Sequence, residues 1–200
     1  FGEEQTLAHG IVPSSSPQGL VSAGTMPGEP VPAGTFGHLV VPAQTVPNNQ
    51  YISAYYLTFD HWYHLDSTIS GGGDGTWVEY RLQSNSIWGN WSYMEPQGGY
   101  PSTLSTDAPV PSGASSPVPV FASDSHSGWV TSNFSLSSLS GIDQADNIQF
   151  RFVIWTHPDS INERPGWFID QIEIINEGVD LDVWHHGCYT TTASSCTYNS

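Results

Sequence analysis

Carboxylates are the side chains of this sequence with the most chemistry to offer, because they greatly outnumber its bases. The 200 residues include 19 Asp and Glu against three Arg and no Lys, which gives a formal net charge of −16. Calcium takes about six to eight oxygen ligands, and an acid-rich chain with many loop carbonyls supplies them without competing ammonium groups. The composition therefore favours Ca2+ as a bound cofactor.

One candidate calcium ligand, Asp74, lies in the glycine-rich loop 71–75. Glycines let backbone carbonyls turn toward an ion, so this loop suits a calcium site. The same sequence is equally typical of a plain hairpin turn. Both interpretations stay open.

A second kind of chemistry is indicated by four aromatic residues in a stretch rich in Gly and Asn. They are Trp88, Trp91, Tyr93 and Tyr100. Exposed aromatic rings stack on sugar rings, so these four are candidate ligand-binding residues for a glycan. Packing in the core or at a sheet edge is the commoner fate of large aromatic side chains, and it is the favoured alternative.

Histidine and cysteine give weaker signals. His61 and His64 would face opposite sides of a strand, so structural roles are favoured over a shared zinc ion. Cys188 and Cys196 predict a disulfide if the compartment is oxidising. Reduced thiols, or a zinc or copper site with the histidines at 185–186, are the alternatives.

Several features predict a secreted protein, located outside the cell or on its surface. Asn90 and Asn133 begin Asn-x-Ser sequons and are candidate glycan attachment sites. The chain begins at Phe1 without a methionine, as expected after removal of a leader. The shortage of bases argues against nucleic acid and anionic membranes as partners, and no apolar run reaches the roughly 18 residues of a membrane span.

The elements that must position these residues are predicted to be strands. Five stretches are rich in β-branched and aromatic residues and are bounded by Gly, Pro, Ser and Asp clusters. They are 51–63, 76–84, 129–136, 148–156 and 167–175. Within 148–154 alternate residues form one apolar face. With almost no helical periodicity, the sequence predicts an all-β fold, an antiparallel two-sheet sandwich of the jelly-roll kind.

Proline content divides the chain into three parts. Residues 1–34 are predicted to be an extended N-terminal segment rich in Pro and Gly, and 35–178 the β-sandwich domain. Residues 179–200 form a tail that holds the predicted disulfide. Within the domain, 102–125 is predicted to be a long surface connection or an edge, because it carries four prolines.

Four motifs, in this order, resemble the MAM-like β-sandwich domain appended to secreted metallopeptidases of the immune inhibitor A type. They are 57–63 (LTFDHWY), 73–80 (GDGTWVEY), 129–136 (WVTSNFSL) and 166–174 (GWFIDQIEI). The resemblance covers roughly residues 35 to 176. It implies a concanavalin-like or jelly-roll sandwich, an extracellular location and a non-catalytic role often steadied by calcium. The peptidase's His-Glu-x-x-His zinc helix does not occur in the sequence.

The resemblance also implies a calcium ligand in the last core strand. In similar jelly rolls an Asp there, followed two positions later by an apolar residue, joins an acid near the first strand around an ion. Asp170 and Ile172 match this pattern, and Glu3 and Glu4 are the expected N-terminal partners. Regular alternation would place Asp170 on the same face as Ile172, partly buried. An ion pair with Arg151 is the alternative way to neutralise Asp170.

Two functions are predicted, neither of them enzymatic. The first is a calcium-stabilised structural or adhesive subunit that polymerises with copies of itself, by donating its N-terminal strand to a neighbour's sheet edge. The alternative is a carbohydrate- or cell-surface-binding module released from a larger secreted enzyme. An enzyme of the lyase or glycosidase kind ranks last, because the sequence has no nucleophile elbow, zincin helix or phosphate loop.

Overall fold

The computed structural model describes residues 2–3, 23–25, 29–46, 55–67, 73–123, 128–162 and 164–176. In chain order the strands are β1 Gly2–Glu3, β2 Ala23–Gly24, β3 Phe36–Val40, β4 Gln44–Thr45, β5 Tyr55–His64, β6 Gly75–Ser84, β7 Ile87–Trp88, β8 Ser92–Met94, β9 Ser102–Thr103, β10 Pro119–Val120, β11 Val130–Ser135, β12 Asn147–Trp155 and β13 Gly166–Asn176. A single 3-10 turn, Ile142–Gln144, is the only helical element of these residues. All strand pairs are antiparallel, which confirms the all-β prediction.

The strands form two main sheets that pack face to face. The first sheet has the order β1-β2-β13-β5-β11, and the second has the order β3-β12-β6-β7, with β4 on β12 and β8 on β6. Phe59 of β5 and Trp167 of β13 meet Phe152 of β12 across the layers, with ring centroids 4.9 and 5.6 Å apart. The architecture is an antiparallel β-sandwich, as the sequence predicted.

Alternation along β12 sets the inner face of the second sheet. Ile148, Phe150, Phe152 and Ile154 are at most 2% exposed and belong to the core between the sheets. Full burial of each such side chain contributes about 1.5–3 kcal/mol. The prediction of one apolar face in this strand is confirmed. Strand β3, which comes from the proline-rich region, lies at the sheet edge, where proline neighbours are tolerated.

The connection between β8 and β11, predicted to be a surface connection or an edge, packs against the second sheet. Its hairpin β9–β10 covers part of the outer face of the second sheet, where Leu104 and Val120 cluster with Trp77 and Trp155. Gly75 permits this close approach, since a Cβ there would lie 2.6 Å from Val120 Cγ2. The second sheet is therefore buried on both faces at this end.

The N-terminal segment contributes an edge to the first sheet. Strand β2 pairs with β13, and β1 pairs with β2. The Thr25 N–H donates to the Trp167 carbonyl at 3.0 Å, and the Val31 N–H donates to the Arg164 carbonyl at 2.8 Å. The described part of this segment thus completes the sheet of its own chain.

None of the described residues belongs to a helix long and apolar enough to span a membrane.

The predicted C-terminal tail is not described by the structure. Cys188, Cys196 and the rest of 177–200 lie outside the described residues. The disulfide and the three segment boundaries therefore stay predictions.

Candidate functional site

The outer face of the second sheet has an uncovered part beside the β9–β10 hairpin. It carries Arg81 on β6, Gln149 and Arg151 on β12, and Trp88 and Trp91 on the neighbouring edge, and we name these five residues the open face. All five are partly exposed. Arg81 pairs across the strands with Gln149. Two of the three basic residues of the chain therefore meet two of its eight tryptophans.

The two indoles of the open face are held by guanidinium groups. The Arg81 Cζ lies 4.5 Å from the ring centroid of Trp91 and 4.7 Å from that of Trp88. The Arg151 Cζ lies 4.7 Å from the Trp91 centroid. Cation–π contacts at exposed sites contribute about 0.5–1 kcal/mol each. Both rings are thereby contacted by Arg81 in the fold itself.

A bulge brings both tryptophans to the same face. The hairpin between β6 and β7 closes through Asn85 and Ser86, whose φ angles of 51° and 65° are typical of a type I′ turn. Between β7 and β8 the edge strand then gains one residue relative to β6. Because of this extra residue, Trp88 and Trp91 share a face although they are three positions apart, whereas regular alternation would separate them.

The charges of the two arginines are balanced differently. Arg151 forms an ion pair with Glu79, and its Nε donates to Glu79 Oε2 at 2.8 Å. Glu79 is only 2% exposed, and its Oε1 accepts a hydrogen bond from Trp77 Nε1 at 2.7 Å. Arg81 instead donates from Nε and Nη2 to the neutral Oε1 of Gln149, at 3.0 and 2.6 Å. No carboxylate of the described residues forms an ion pair with Arg81.

Tyr93 and Tyr100, the other two predicted ligand-binding aromatics, are engaged by the fold. Their hydroxyls donate to the backbone carbonyls of Pro119 and Met94, at 2.6 and 2.7 Å. Burial raises the pKa of both hydroxyls above the usual tyrosine value, so both remain protonated donors. The packing alternative describes these two residues, and ligand binding by the two tryptophans stays a prediction.

The two predicted glycan attachment sites differ in position. Asn90 and Asn133 are both exposed. Asn90 immediately precedes Trp91 at the open face, whereas Asn133 lies on β11 at the edge of the first sheet. Attachment at either residue stays a prediction.

Asp170, the predicted calcium ligand of the last strand, lies directly opposite Asp60 on β5. Side chains paired in this way have Cβ atoms about 4.5–5.5 Å apart, and like charges there repel. Asp170 Oδ1 accepts the Gln171 N–H at 2.8 Å, and Asp60 Oδ1 accepts the Thr131 hydroxyl. Two facing carboxylates suit a hard cation. Within the described ranges, no group of three or more His, Cys, Asp or Glu side chains is placed to hold a metal.

Two expectations about the surroundings of Asp170 are wrong. A β-bulge lies between Asp170 and Glu173, with Gln171 at a φ of 50°. The bulge moves Ile172 to the inner face, where it packs against the core rather than beside Asp170. Arg151 does not neutralise Asp170, because it lies in the second sheet and pairs with a buried glutamate there.

The expected N-terminal calcium ligands are only partly described. The backbone of Glu3 lies in β1, which pairs through β2 with β13. Through Ala23, the register places Glu3 in line with Ile169, the residue before Asp170. The side chain of Glu3 and all of Glu4 lie outside the described residues. Their role as ligands stays a prediction.

Asp74 belongs to a second acidic pair, this one buried. Asp74 and Asp66 are 3% and 0% exposed. Asp74 Oδ1 accepts the His157 N–H at 2.9 Å, and its Oδ2 accepts the Asp66 N–H at 3.2 Å. Asp66 Oδ2 accepts hydrogen bonds from Ser160 and Asn162. Burial raises the pKa of Asp74 to about 6, and the nearby Asp66 charge adds to the rise. The pair ties together the loops that follow β5 and β12.

His61 and His64 lie on opposite faces of β5, as their spacing predicted. His61 is fully buried, and its Nδ1 accepts the indole N–H of Trp167 at 3.0 Å. Because an indole only donates, Nδ1 carries no proton, so Nε2 donates to Ser132 Oγ at 2.9 Å. On the outer face, His64 contacts the ring of Trp62. Both histidines are parts of packed clusters.

Comparison with known proteins names no family for this chain. It matches no protein-family profile, and no curated protein is significantly similar to it in sequence. The resemblance to the MAM-like domain therefore rests on the four motifs alone.

Proposed function

We propose that this chain is a secreted, non-catalytic β-sandwich module that binds carbohydrate through the open face. The observation that carries the proposal is the pair of partly exposed indoles, Trp88 and Trp91, which share one face of the sheet and both contact the guanidinium of Arg81. The apolar C–H face of a pyranose ring packs on such a surface, while its hydroxyls accept hydrogen bonds from guanidinium donors. Of the two predicted functions, this geometry favours the second.

The energetics of the exposed indoles support a binding role. Each square ångström of apolar surface left in water forgoes about 25 cal/mol. A sugar ring stacked on Trp88 and Trp91 recovers part of that free energy. Because the cation–π contacts already fix both rings, little side-chain entropy is lost when the ligand binds.

The non-catalytic part of the proposal is supported by the state of Glu79, the carboxylate that contacts the open face. Most glycoside hydrolases flank the scissile bond with two carboxyl groups about 5–9.5 Å apart. Glu79, which touches the open face, is buried and paired with Arg151. A sugar on the open face would therefore be bound rather than cleaved.

The proposal includes calcium as a stabilising ion at Asp60 and Asp170. A divalent cation between these carboxylates would remove the repulsion of two like charges that face each other across β5 and β13. Backbone carbonyls, water and the glutamates at 3–4 would supply the other oxygens. The ion would then join the N-terminal edge to the centre of the first sheet.

A glycan array probed with the protein and three variants tests carbohydrate binding. Trp88→Ala and Trp91→Ala are expected to weaken binding at least about tenfold, or ~1.4 kcal/mol, because each removes a stacking surface. Ile87→Ala is the matched control. Ile87 is 73% exposed on the same hairpin, but alternation turns it to the opposite face from Trp88.

The outcomes of this experiment are distinct. Loss of binding in the two tryptophan variants, with Ile87→Ala unaffected, supports the open face as the site. Equal loss in all three variants assigns the effect to general damage of the hairpin and contradicts the proposal. So does a wild-type protein that binds no glycan in buffer with or without calcium.

A second candidate function, a self-assembling structural subunit, is favoured by the pairing of β1 and β2. These strands add backbone hydrogen bonds to the open edge of β13. A neighbouring chain presenting the same residues would make the same pairs, which is the geometry of strand exchange.

Deletion of residues 1–24 removes both β1 and β2 and so tests strand exchange, while it keeps Thr25 and Val31, which pack beside β13. The exchange account expects the full chain to form concentration-dependent oligomers in light scattering, and the deleted chain to stay monomeric. Monomers at every concentration for both chains contradict it.

A further inference from the structure

Arg81 has hydrogen-bond donors that the described part of the fold does not use. A guanidinium carries five N–H groups. The Nε–H and one Nη2–H of Arg81 donate to Gln149 Oε1. The other three N–H groups, on Nη1 and Nη2, find no acceptor among the described residues. They form a second planar fork on the edge of the guanidinium that faces away from Gln149.

The orientation of this free fork is fixed. The Cζ of the guanidinium lies within 4.7 Å of the ring centroids of both indoles of the open face. Its partner Gln149 is itself anchored, because the Gln149 Nε2 donates to the Val41 carbonyl at 3.0 Å. Arg side chains lose about 2 kcal/mol of rotamer entropy when immobilised from a free state. Arg81 has already lost most of that freedom in the fold, so a ligand need not order it.

The local charge is opposite to that of the molecule. The whole chain carries −16. On the open face, Glu79 cancels the charge of Arg151, so the guanidinium of Arg81 remains as a positive charge beside two indoles. Hydroxyls alone would not require this charge. A carboxylate would, because it accepts two parallel N–H bonds from one guanidinium edge.

We infer that the open face selects saccharides that carry a carboxylate, that is, uronic-acid units, and that Arg81 is the residue that selects them. The inference rests on the proposed carbohydrate binding and names its ligand class. The carboxylate is held by Nη1 and Nη2 of Arg81, and the pyranose ring of the same unit stacks on the adjacent indole of Trp91 or Trp88. The rest of the chain is negatively charged and repels an acidic ligand. Such a ligand therefore contacts the protein at the open face.

A matched pair of ligands tests the inference. The first is a hexasaccharide that contains glucuronic acid, and the second is the same hexasaccharide after chemical reduction of its carboxyl groups to alcohols. Titration calorimetry is run with the wild type, Arg81→Gln, Arg81→Lys and the control Ile87→Ala. Thermal unfolding of each variant confirms that it is folded.

The wild type and Ile87→Ala are expected to bind the acidic hexasaccharide at least about tenfold more tightly than the reduced one, as a bidentate charged pair would give. Arg81→Gln should bind the two hexasaccharides with equal affinity, and its affinity for the reduced ligand should fall as well, because Arg81 also contacts both indoles. Arg81→Lys should keep part of the preference, because it retains the charge but not the fork.

The alternative results distinguish failure of uronic-acid selection from failure of carbohydrate binding. Equal affinities of the wild type for the two ligands, or an unchanged preference in Arg81→Gln, overturn the selection of uronic acids and leave carbohydrate binding standing. Failure to bind either hexasaccharide, together with an empty glycan array, overturns both.

Discussion

At the scale of single residues, burial decides what each carboxylate can do. Asp74 is 3% exposed, and burial raises its pKa from 3.8 to about 6. A group with a higher pKa in the folded than in the unfolded state binds extra protons when folded. The stability that protonated Asp74 contributes is complete below about pH 4 and is lost as the pH rises through 6.

This gives a pH-dependent prediction for Asp74→Asn. The free energy of unfolding of the wild type, minus that of the variant, should fall by about 2 kcal/mol between pH 4 and pH 6.5, at ~1.36 kcal/mol per pKa unit of the full difference. The Asn side chain loses one backbone hydrogen bond at every pH. This loss changes the difference in the free energy of unfolding by a constant amount and leaves its dependence on pH unchanged. Urea unfolding at a series of pH values measures the slope. Parallel curves would show that Asp74 does not titrate in this range.

The facing pair Asp60 and Asp170 yields a prediction about calcium. Calcium added at about 100 times its dissociation constant should stabilise the fold by ~2.7 kcal/mol, seen as a higher unfolding temperature than in chelator. Asp170→Asn and Asp60→Asn should lose this response, because each removes one of the two facing carboxylates. Asp74→Asn, a control from the buried pair, should keep it. An equal calcium shift in Asp170→Asn would rule out the site.

At the scale of elements, regular strands were predictable from the sequence and their irregularities were not. The five long strands β5, β6, β11, β12 and β13 lie within a few residues of the predicted stretches, since alternation and turn residues mark them. No comparable sequence pattern indicates the two β-bulges. One brings Trp91 to the face of Trp88, and the other turns Ile172 away from Asp170. The composition of the open face depends on a bulge and was therefore only partly predicted, whereas the pairing of Asp60 with Asp170 lies in regular register.

The contact between β2 and β13 can be tested at Gly166. Its φ is 96°, and a Cβ there would lie 2.0 Å from Thr25 Oγ1 and 2.5 Å from Val31 Cγ2. Gly166→Ala should therefore destabilise the protein by more than about 2 kcal/mol, since it adds a clash to backbone strain. Gly98→Ala is the matched control, because Gly98 has a φ of 88° with nothing within 4 Å of its Cβ position. Equal unfolding temperatures for the two variants would contradict the packing of Thr25 and Val31 on β13.

At the scale of the whole molecule, the segments that pack on the outside of the sandwich determine which part of its sheets remains exposed. The β9–β10 hairpin closes one end of the outer face of the second sheet and leaves the open face beside it. The sequence did not predict this cover, because stretches rich in Pro and Ser have no periodicity that indicates a packing partner. For the same reason the sequence predicts no more than an extended segment for Thr25 and Val31, which lie far from β13 in sequence. Such long-range contacts depend on the assembled sheets.

The most direct test of the central claim follows the indole N–H signals of the eight tryptophans by NMR, assigned with single Trp→Phe variants. A saccharide that binds on the array is added until the spectrum stops changing. The account predicts that the signals of Trp88 and Trp91 shift together, while those of Trp77 and Trp167, which are 1% and 0% exposed, stay in place. Unchanged Trp88 and Trp91 signals at saturation would show that carbohydrate does not bind at the open face.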